Sequence, residues 1–309
     1  MICTVTMNPA LDYIVFLPEL KRGEINRASR AGMRPGGKGI NVSAVLKSFG
    51  VSSLVTGFAA GRTGALLCEL LHAAGISSDF VSADGMTRIN VKIRAAEETD
   101  INGPGPAVRE EAFAELLRKI SRLPAGAVLV LAGSMPHSLP EGACGQIFSA
   151  AESMRVVADL PAAGLREVLA YRPWLVKPNR EEAEALFGTP VLTRGDGLAC
   201  AHRLCEEGAR NAIVSLGALG AVMVSEEGCE YEVPAFSGKA VDTVGAGDSL
   251  LAGFLAAKEG GLGDGEALLQ GVAAGCATAF RVGLAPAEEA FALLKNRERE
   301  ESGEAPHEE

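Results

Sequence analysis

Short, unbroken apolar runs punctuate the chain: ICTVTM (2–7), AVLVLAG (127–133), RVVADL (155–160), WLVKPN (174–179) and NAIVSLG (211–217). Runs of this length without polar alternation predict strands buried on both faces. Between them the spacing changes to threes and fours. Val42, Val45, Leu46 and Phe49 follow it, as do Phe113, Leu116, Leu117, Ile120 and Leu123, which predicts amphipathic helices. Apolar strands alternating with such helices describe an α/β chain with a central, mostly parallel sheet covered by helices on both faces, a three-layer α/β/α arrangement.

One segment breaks the pattern. In RINVKIR (88–94), Ile89, Val91 and Ile93 fall on one strand face, while Arg88, Asn90, Lys92 and Arg94 fall on the other. A strand apolar on one side and basic on the other suits a small sheet laid over a ligand. An ordinary half-solvated edge strand would show the same alternation. The expectation is a small β-sheet lid, built from segments near 12–34 and 87–103 and inserted into a main domain over 1–295.

Composition adjusts this picture in a few places. Aromatics are 5% of residues against 48% hydrophobic overall, so the core must be packed from Ala, Val, Leu and Ile. A formal charge of −10 argues against a nucleic-acid-binding or anionic-membrane surface. Part of it is local: residues 296–309 carry six Glu against two Arg without apolar periodicity, which reads as a charged, mobile tail. Seven cysteines without a C-x-x-C pair fit reduced thiols in a cytoplasmic protein, and His72, His137, His202 and His307 have no metal-ligand spacing. The opening MICTVTM has no basic leader and no apolar stretch is long enough for a span, so neither secretion nor a membrane is expected.

Candidate chemistry concentrates in AVDTVGAGDSLLAGFLAAKEG (240–260). Gly245, Ala246 and Gly247 leave the backbone bare, and a helical pattern follows at once with Leu250, Leu251, Phe254 and Leu255. A bare helix start presents unpaired N–H groups and the positive dipole end, which suits a phosphate or a developing oxyanion. Asp248 in the first turn is either a base for an attacking hydroxyl or a common cap carboxylate. RPGGKGINVSAVLKSFG (34–50) nearly spells a P-loop, since Gly32, Gly37 and Lys38 have G-x-x-x-x-G-K spacing. Gly39 stands where that motif needs Ser or Thr, which disfavours it. Weaker pieces are NPALD (8–12), KPNREEAE (177–184) and SLGALGA (215–221), since Asp in turns and Asn at caps are routine. Gly133 and Ser134 at a strand end serve equally a turn or a substrate contact.

Taken together and in this order, the pieces resemble the PfkB family of ribokinase-like sugar kinases, from NPALD to about position 284. DTVGAGD (242–248) is similar to the family's C-terminal signature and PGGKGINVSAVLKSFG (35–50) to its N-terminal one. The resemblance implies a ribokinase-like fold with Asp248 as catalytic base and the Gly245–Ala246–Gly247 amides as anion hole. It implies ATP and Mg²⁺, with Lys177 and Asn179 on the nucleotide phosphates, Glu182 acting on the metal through water, and Ser215, Gly217 and Gly220 bordering the nucleotide. Asp12, Gly37, Lys38 and Asn41 would border the sugar, and a homodimer paired through the lids is expected.

Within the family the similarity is to the phosphosugar branch, through GEIN (23–26), GGKGIN (36–41), TRINVKI (87–93) and NGPGP (102–106). Lys38, Arg88 and Lys92, with Arg27, would give a cationic pocket that a neutral sugar does not need, and Asn90 would border the same substrate. The implied reaction is phosphorylation of fructose 1-phosphate to the 1,6-bisphosphate, with tagatose 6-phosphate and fructose 6-phosphate as alternatives. Residues 275–290 offer no obvious polar nucleotide contacts. A non-catalytic sugar-phosphate sensor on the same fold would not need the intact DTVGAGD. A dinucleotide enzyme lacks its G-x-G-x-x-G after a strand, since 245–250 reads GAGDSL.

Overall fold

The computed structural model describes residues 1–302. In chain order the strands are β1 (Ile2–Thr6), β2 (Ala10–Phe16), β3 (Arg30–Gly36), β4 (Ser53–Ala60), β5 (Ser77–Ser78), β6 (Val81–Ala83), β7 (Arg88–Arg94), β8 (Glu98–Asn102), β9 (Val128–Ala132), β10 (Arg155–Asp159), β11 (Leu175–Val176), β12 (Ala212–Ser215), β13 (Ala221–Val224) and β14 (Glu230–Val233). The helices are α1 (Lys38–Ser48), α2 (Gly61–Ala73), α3 (Glu110–Ser121), α4 (Ala143–Ala150), α5 (Ala162–Leu169), α6 (Arg180–Phe187), α7 (Arg194–Glu206), α8 (Ala246–Glu259), α9 (Asp264–Ala279) and α10 (Ala287–Ser302).

The apolar runs become the main sheet. Its order is β14–β13–β12–β11–β10–β9–β1–β4, with β5 and β6 both beside β4. All its pairs are parallel except β12–β13 and β13–β14. β1 and β9 are buried along their whole length, as continuous apolar strands under two helical layers must be. On one face α1, α8 and α9 pack through Val42, Val45, Leu46, Leu251, Phe254 and Val272. On the other, α3, α4, α5 and α7 pack through Phe113, Leu116, Ile120, Ile147, Leu165 and Leu204. Each fully buried side chain of this kind stabilises the fold by roughly 1.5–3 kcal/mol, so the scarcity of aromatics is offset by number.

A second sheet, ordered β3–β2–β7–β8, lies apart from the first. Its orientation decides between the two readings of RINVKIR. An ordinary edge strand would bury Val91 and expose Lys92. Here Asn90 and Lys92 are each 7% exposed, while Tyr13 and Met33 are 38% and Ile101 56% exposed on the opposite face. The polar positions are covered, and on the opposite face Leu11 packs against α2 while the row Tyr13, Met33 and Ile101 is open, so the charged side of this sheet faces inward.

Helix α10 runs to Ser302, so residues 296–302 of the expected tail are helical, and 303–309 lie outside the described residues. No helix among the described residues is long and apolar enough to cross a membrane.

Candidate active site

A cavity of about 1170 Å³ opens where the C-terminal ends of β1, β9, β11 and β12 face the small sheet, contributing Thr6, Ala132, Lys177 and Ser215 to its walls. This is where parallel α/β sheets present ligand sites. Among the described residues, Thr6, Asn8, Arg88, Asn90 and Arg180 each leave a buried polar atom without a hydrogen-bond partner, and all five line this cavity. Native proteins rarely leave such atoms unpaired, so their concentration here marks a place for a polar ligand.

The segment DTVGAGD closes one wall. Gly245 adopts φ +83°, a left-handed geometry in which glycine is unstrained, and this turn launches α8 from Ala246. Asp248 in the first helical turn is 6% exposed and accepts a 2.7 Å hydrogen bond on Oδ2 from Asn41 Nδ2. Burial, and then the negative charge of Asp159, push its pKa up to about 6, against the pull of Asn41, Lys38 and Lys177. Of the three backbone amides expected to form an anion hole, that of Ala246 turns back to the Thr243 carbonyl at 3.2 Å; Gly245 and Gly247 make no such bond.

A second group surrounds Asp159, the fully buried last residue of β10. Lys38 Nζ donates to its Oδ1 at 2.8 Å, and Lys177 Nζ lies 3.2 Å from its Oδ2. Burial alone would raise this carboxyl, but the two ammonium groups outweigh it and hold Asp159 below the usual carboxylate range. Lys38 also reaches Glu182 Oε1 at 3.4 Å. Burial opposes the charge on Lys38, yet Asp159 and Glu182 together raise its pKa above the ordinary lysine value.

Glu182 is held by local sequence. Asn179 caps α6 by accepting from the Glu182 amide at 2.7 Å, and Glu182 Oε2 accepts from the Asn179 amide at 2.9 Å. This reciprocal capping box is what N-x-x-E at a helix start produces.

The small sheet supplies the third group. Asn90 Nδ2 donates to Asp12 Oδ1 at 2.9 Å. A Cβ at position 36 would come within 2.6 Å of the Asp12 carboxylate, so any larger residue there would displace it. Arg88 Nη2 donates to the Asn8 carbonyl at 2.9 Å, its Nε is unpartnered, and it has no ion pair among the described residues. Burial lowers its pKa, with Asp12 offsetting part of the effect. Lys92, by contrast, is already neutralised by Asp100 Oδ2 at 2.9 Å.

The structure therefore brings together Asp12, Gly37, Lys38, Asn41, Arg88, Asn90, Lys92, Lys177, Asn179, Glu182, Ser215, Gly217, Gly220, Gly245, Ala246, Gly247 and Asp248 around one cavity, with Gly133 and Ser134. Arg27 is the exception. It is exposed in the loop between β2 and β3 and does not line the cavity.

The sequence reading missed Asp159, Asn8, Thr6, Asn102 and Arg180. Asp159 carried a usable signal: it is the carboxylate that ends an otherwise apolar strand, RVVAD. Residues 275–290, which promised no polar contacts, do reach the cavity, through Gly275, Cys276, Ala279 and Phe280. Beside Phe236 they form an apolar wall.

Residues 5–290 match the description of the pfkB family carbohydrate kinases. The chain belongs to this family. It is 41% identical over 283 residues to the 1-phosphofructokinase of Bacillus subtilis, covering 91% of this chain and 93% of that one. It is 34% identical over 287 residues to the D-tagatose-1-phosphate kinase of Bacillus licheniformis, covering 92% and 94%. Among solved structures, phosphofructokinase-2 from Escherichia coli in complex with fructose-6-phosphate superimposes with a TM-score of 0.90 at 29% identity, over 96% of this chain and 99% of that one. The ribokinase-like α/β fold with a smaller second sheet, expected from the alternation of apolar runs and helices, is borne out.

In this pfkB kinase the three groups divide the cavity by chemistry. Asp248 and the start of α8 form one wall. Lys38, Lys177 and Glu182 form a charged wall beside it, tied together by the fully buried Asp159 behind them. Asp12, Asn90 and Arg88 face them from the small sheet.

Proposed function

We propose that this chain transfers the γ-phosphoryl group of ATP to the C6 hydroxyl of fructose 1-phosphate. The observation that carries the reading is the pairing of two features across one cavity: a buried carboxylate at the mouth of a helix and a half-buried arginine that makes no ion pair among the described residues. Asp248, oriented by Asn41, accepts the hydroxyl proton as the Gly245 and Gly247 amides stabilise charge on the moving phosphoryl group. Arg88 holds the phosphate already on the sugar, because among the expected cations that line the cavity it makes no ion pair, whereas Lys38 and Lys92 do. Asp12 and Asn90 read sugar hydroxyls, and closure of the small sheet excludes water.

The nucleotide lies along Lys177, Asn179, Ser215, Gly217 and Gly220, with its base against Phe236, Cys276 and Phe280. Among the described residues no cluster of three or more His, Cys, Asp or Glu could hold a metal unaided. Mg²⁺ does not need one, since it takes one or two carboxylates and completes its shell with water and phosphate. The Glu182 carboxylate, which lines the cavity, fits that requirement through a water molecule. The ion would neutralise phosphate charge when bound.

The open apolar face of the small sheet supports a homodimer. Met33, Tyr13, Val91 and Ile101 stand side by side across its four strands. A second copy of the sheet would cover them. Seven free cysteines support a cytoplasmic setting.

The test is ADP release from MgATP with fructose 1-phosphate, tagatose 1-phosphate, tagatose 6-phosphate, fructose 6-phosphate and fructose. A kcat/KM for fructose 1-phosphate at least ~10²-fold above fructose supports the reading. Equal turnover of fructose and its phosphate would overturn the role of Arg88.

A further inference from the structure

Lys38 was expected to hold the phosphate that the substrate already carries. Its surroundings assign it elsewhere. Its ammonium sits 2.8 Å from Asp159 and 3.4 Å from Glu182, both remote from the small sheet in sequence. Asp159 also holds Lys177, and Lys177 Nζ lies 3.4 Å from where a Cβ on Gly247 would stand. Lys38 is thus tied to the same carboxylate as the lysine that overhangs the start of α8, and it feels the charge of Asp248 as well. Arg88 and Lys92 belong to another group, whose carboxylates are Asp12 and Asp100, and neither of these acts on Lys38.

The two lysines on Asp159 also differ in freedom. The Lys177 side chain is 3% exposed and that of Lys38 is 33% exposed, with Lys38 opening into the cavity. Resting on the kinase reading above, we propose that Lys38 is a catalytic residue for the phosphoryl group in flight and does not hold the sugar's own phosphate. In the transfer, the acceptor oxygen bonds to the γ-phosphorus while the bond from that phosphorus to the β,γ-bridging oxygen breaks. The hydroxyl proton passes to Asp248, and the electron pair of the broken bond leaves on ADP. Negative charge is spread over the equatorial and bridging oxygens during this exchange. Lys38 supplies the matching positive charge from between Asp248 and Glu182, and Asp159 keeps Lys177 as a partner throughout.

The test is Lys38→Met, with Lys38→Arg beside it. Lys177 still pairs with Asp159 in both, so the buried carboxylate is not orphaned and the fold should survive, which a melting curve checks. For Lys38→Met, kcat should fall ~10²–10³-fold, as when one transition-state donor is removed. Calorimetric binding of fructose 1-phosphate should stay within about threefold of wild type, since uniform substrate binding is untouched. The preference for β,γ-imido-ATP over ADP should shrink roughly tenfold, because the missing charge faces the γ-phosphate. Lys38→Arg should restore part of kcat, limited by its bulkier planar head.

A tenfold or greater loss of fructose 1-phosphate binding with kcat near wild type would overturn the proposal and return Lys38 to the sugar phosphate. Unchanged kcat in Lys38→Met would reduce it to a structural ion pair. If wild type itself fails to turn over any phosphosugar, the kinase reading fails, while the imido-ATP and ADP comparison still decides what Lys38 faces.

Discussion

Asp159 raises Asp248. The two buried carboxylates shift in opposite directions: Lys177 and Lys38 keep Asp159 below the usual range, while burial, and then the negative charge Asp159 retains, lift Asp248 to about 6. A base of that strength is ionised at neutral pH yet still able to hold a proton taken from an alcohol during transfer, the compromise general base catalysis requires.

The pH profile should show this directly. The kcat/KM for the free enzyme is expected to fall on the acid side with a limb near 6, set by Asp248. Replacing Asp159 with Asn removes a negative neighbour and leaves the lysines, so the limb should move to lower pH. A limb that stays in place in Asp159→Asn would separate the two carboxylates.

Asp248→Asn should lose activity without losing stability. Removing a general base lowers kcat on the order of 10²–10⁴-fold. For stability the sign follows from the raised folded pKa. Folding favours the protonated acid, a contribution that is full below the unfolded value of about 4 and is lost as pH rises through about 6. At pH 8 the ionised Asp248 therefore weakens the fold, and the neutral Asn should raise Tm by about 2–4 °C. A lower Tm at pH 8 would mean that Asp248 is an ordinary cap.

Asp159→Asn should do the reverse to the fold. Its depressed pKa contributes stability above the unfolded value of about 4, lost only as pH falls through the folded one. Lys177, 2% exposed, would be left buried beside a neutral amide. The expected loss is about 3–5 kcal/mol in urea unfolding at pH 7, the usual result of breaking a buried pair from one side.

Arg88 and Lys92 should separate. Arg88→Met is expected to raise KM for fructose 1-phosphate ~10²-fold, the scale on which losing a charge-assisted bidentate contact acts, and to shrink the preference over fructose equally. Lys92→Met, whose charge Asp100 already answers, should change KM by less than about tenfold. The reverse order would place the phosphate on Lys92.

The outer face of the small sheet makes a separate prediction. Tyr13→Glu or Ile101→Glu puts a carboxylate into the exposed apolar row and should convert a dimer into a monomer by light scattering. A monomeric wild type would remove the dimer from the account.

What the sequence disclosed depends on how local each feature is. Unbroken runs such as VLVLA announce buried parallel strands because burial on both faces is written into consecutive residues. GAGD before an apolar helix and N-x-x-E at a helix start are equally local, so Asp248, Asn179 and Glu182 were legible. The alternation in RINVKIR was legible too, but not which face was covered, since that is decided by elements on either side of the strand. Asp159 was unreadable as a hub because Lys38 approaches it from 121 residues away. For the same reason four expected cations looked alike. Only the fold shows that Lys38 meets Asp159, Lys92 meets Asp100, Arg27 stands outside and Arg88 makes no ion pair among the described residues.

The most direct test of the central claim is the product itself. The purified chain, MgATP and fructose 1-phosphate would be followed by ³¹P NMR. The account predicts ADP and a second phosphomonoester on C6 of the same sugar, formed in equal amounts, with the C1 phosphate retained. ADP without a C6 ester, or a new phosphate on C6 of unphosphorylated fructose at the same rate, would contradict it.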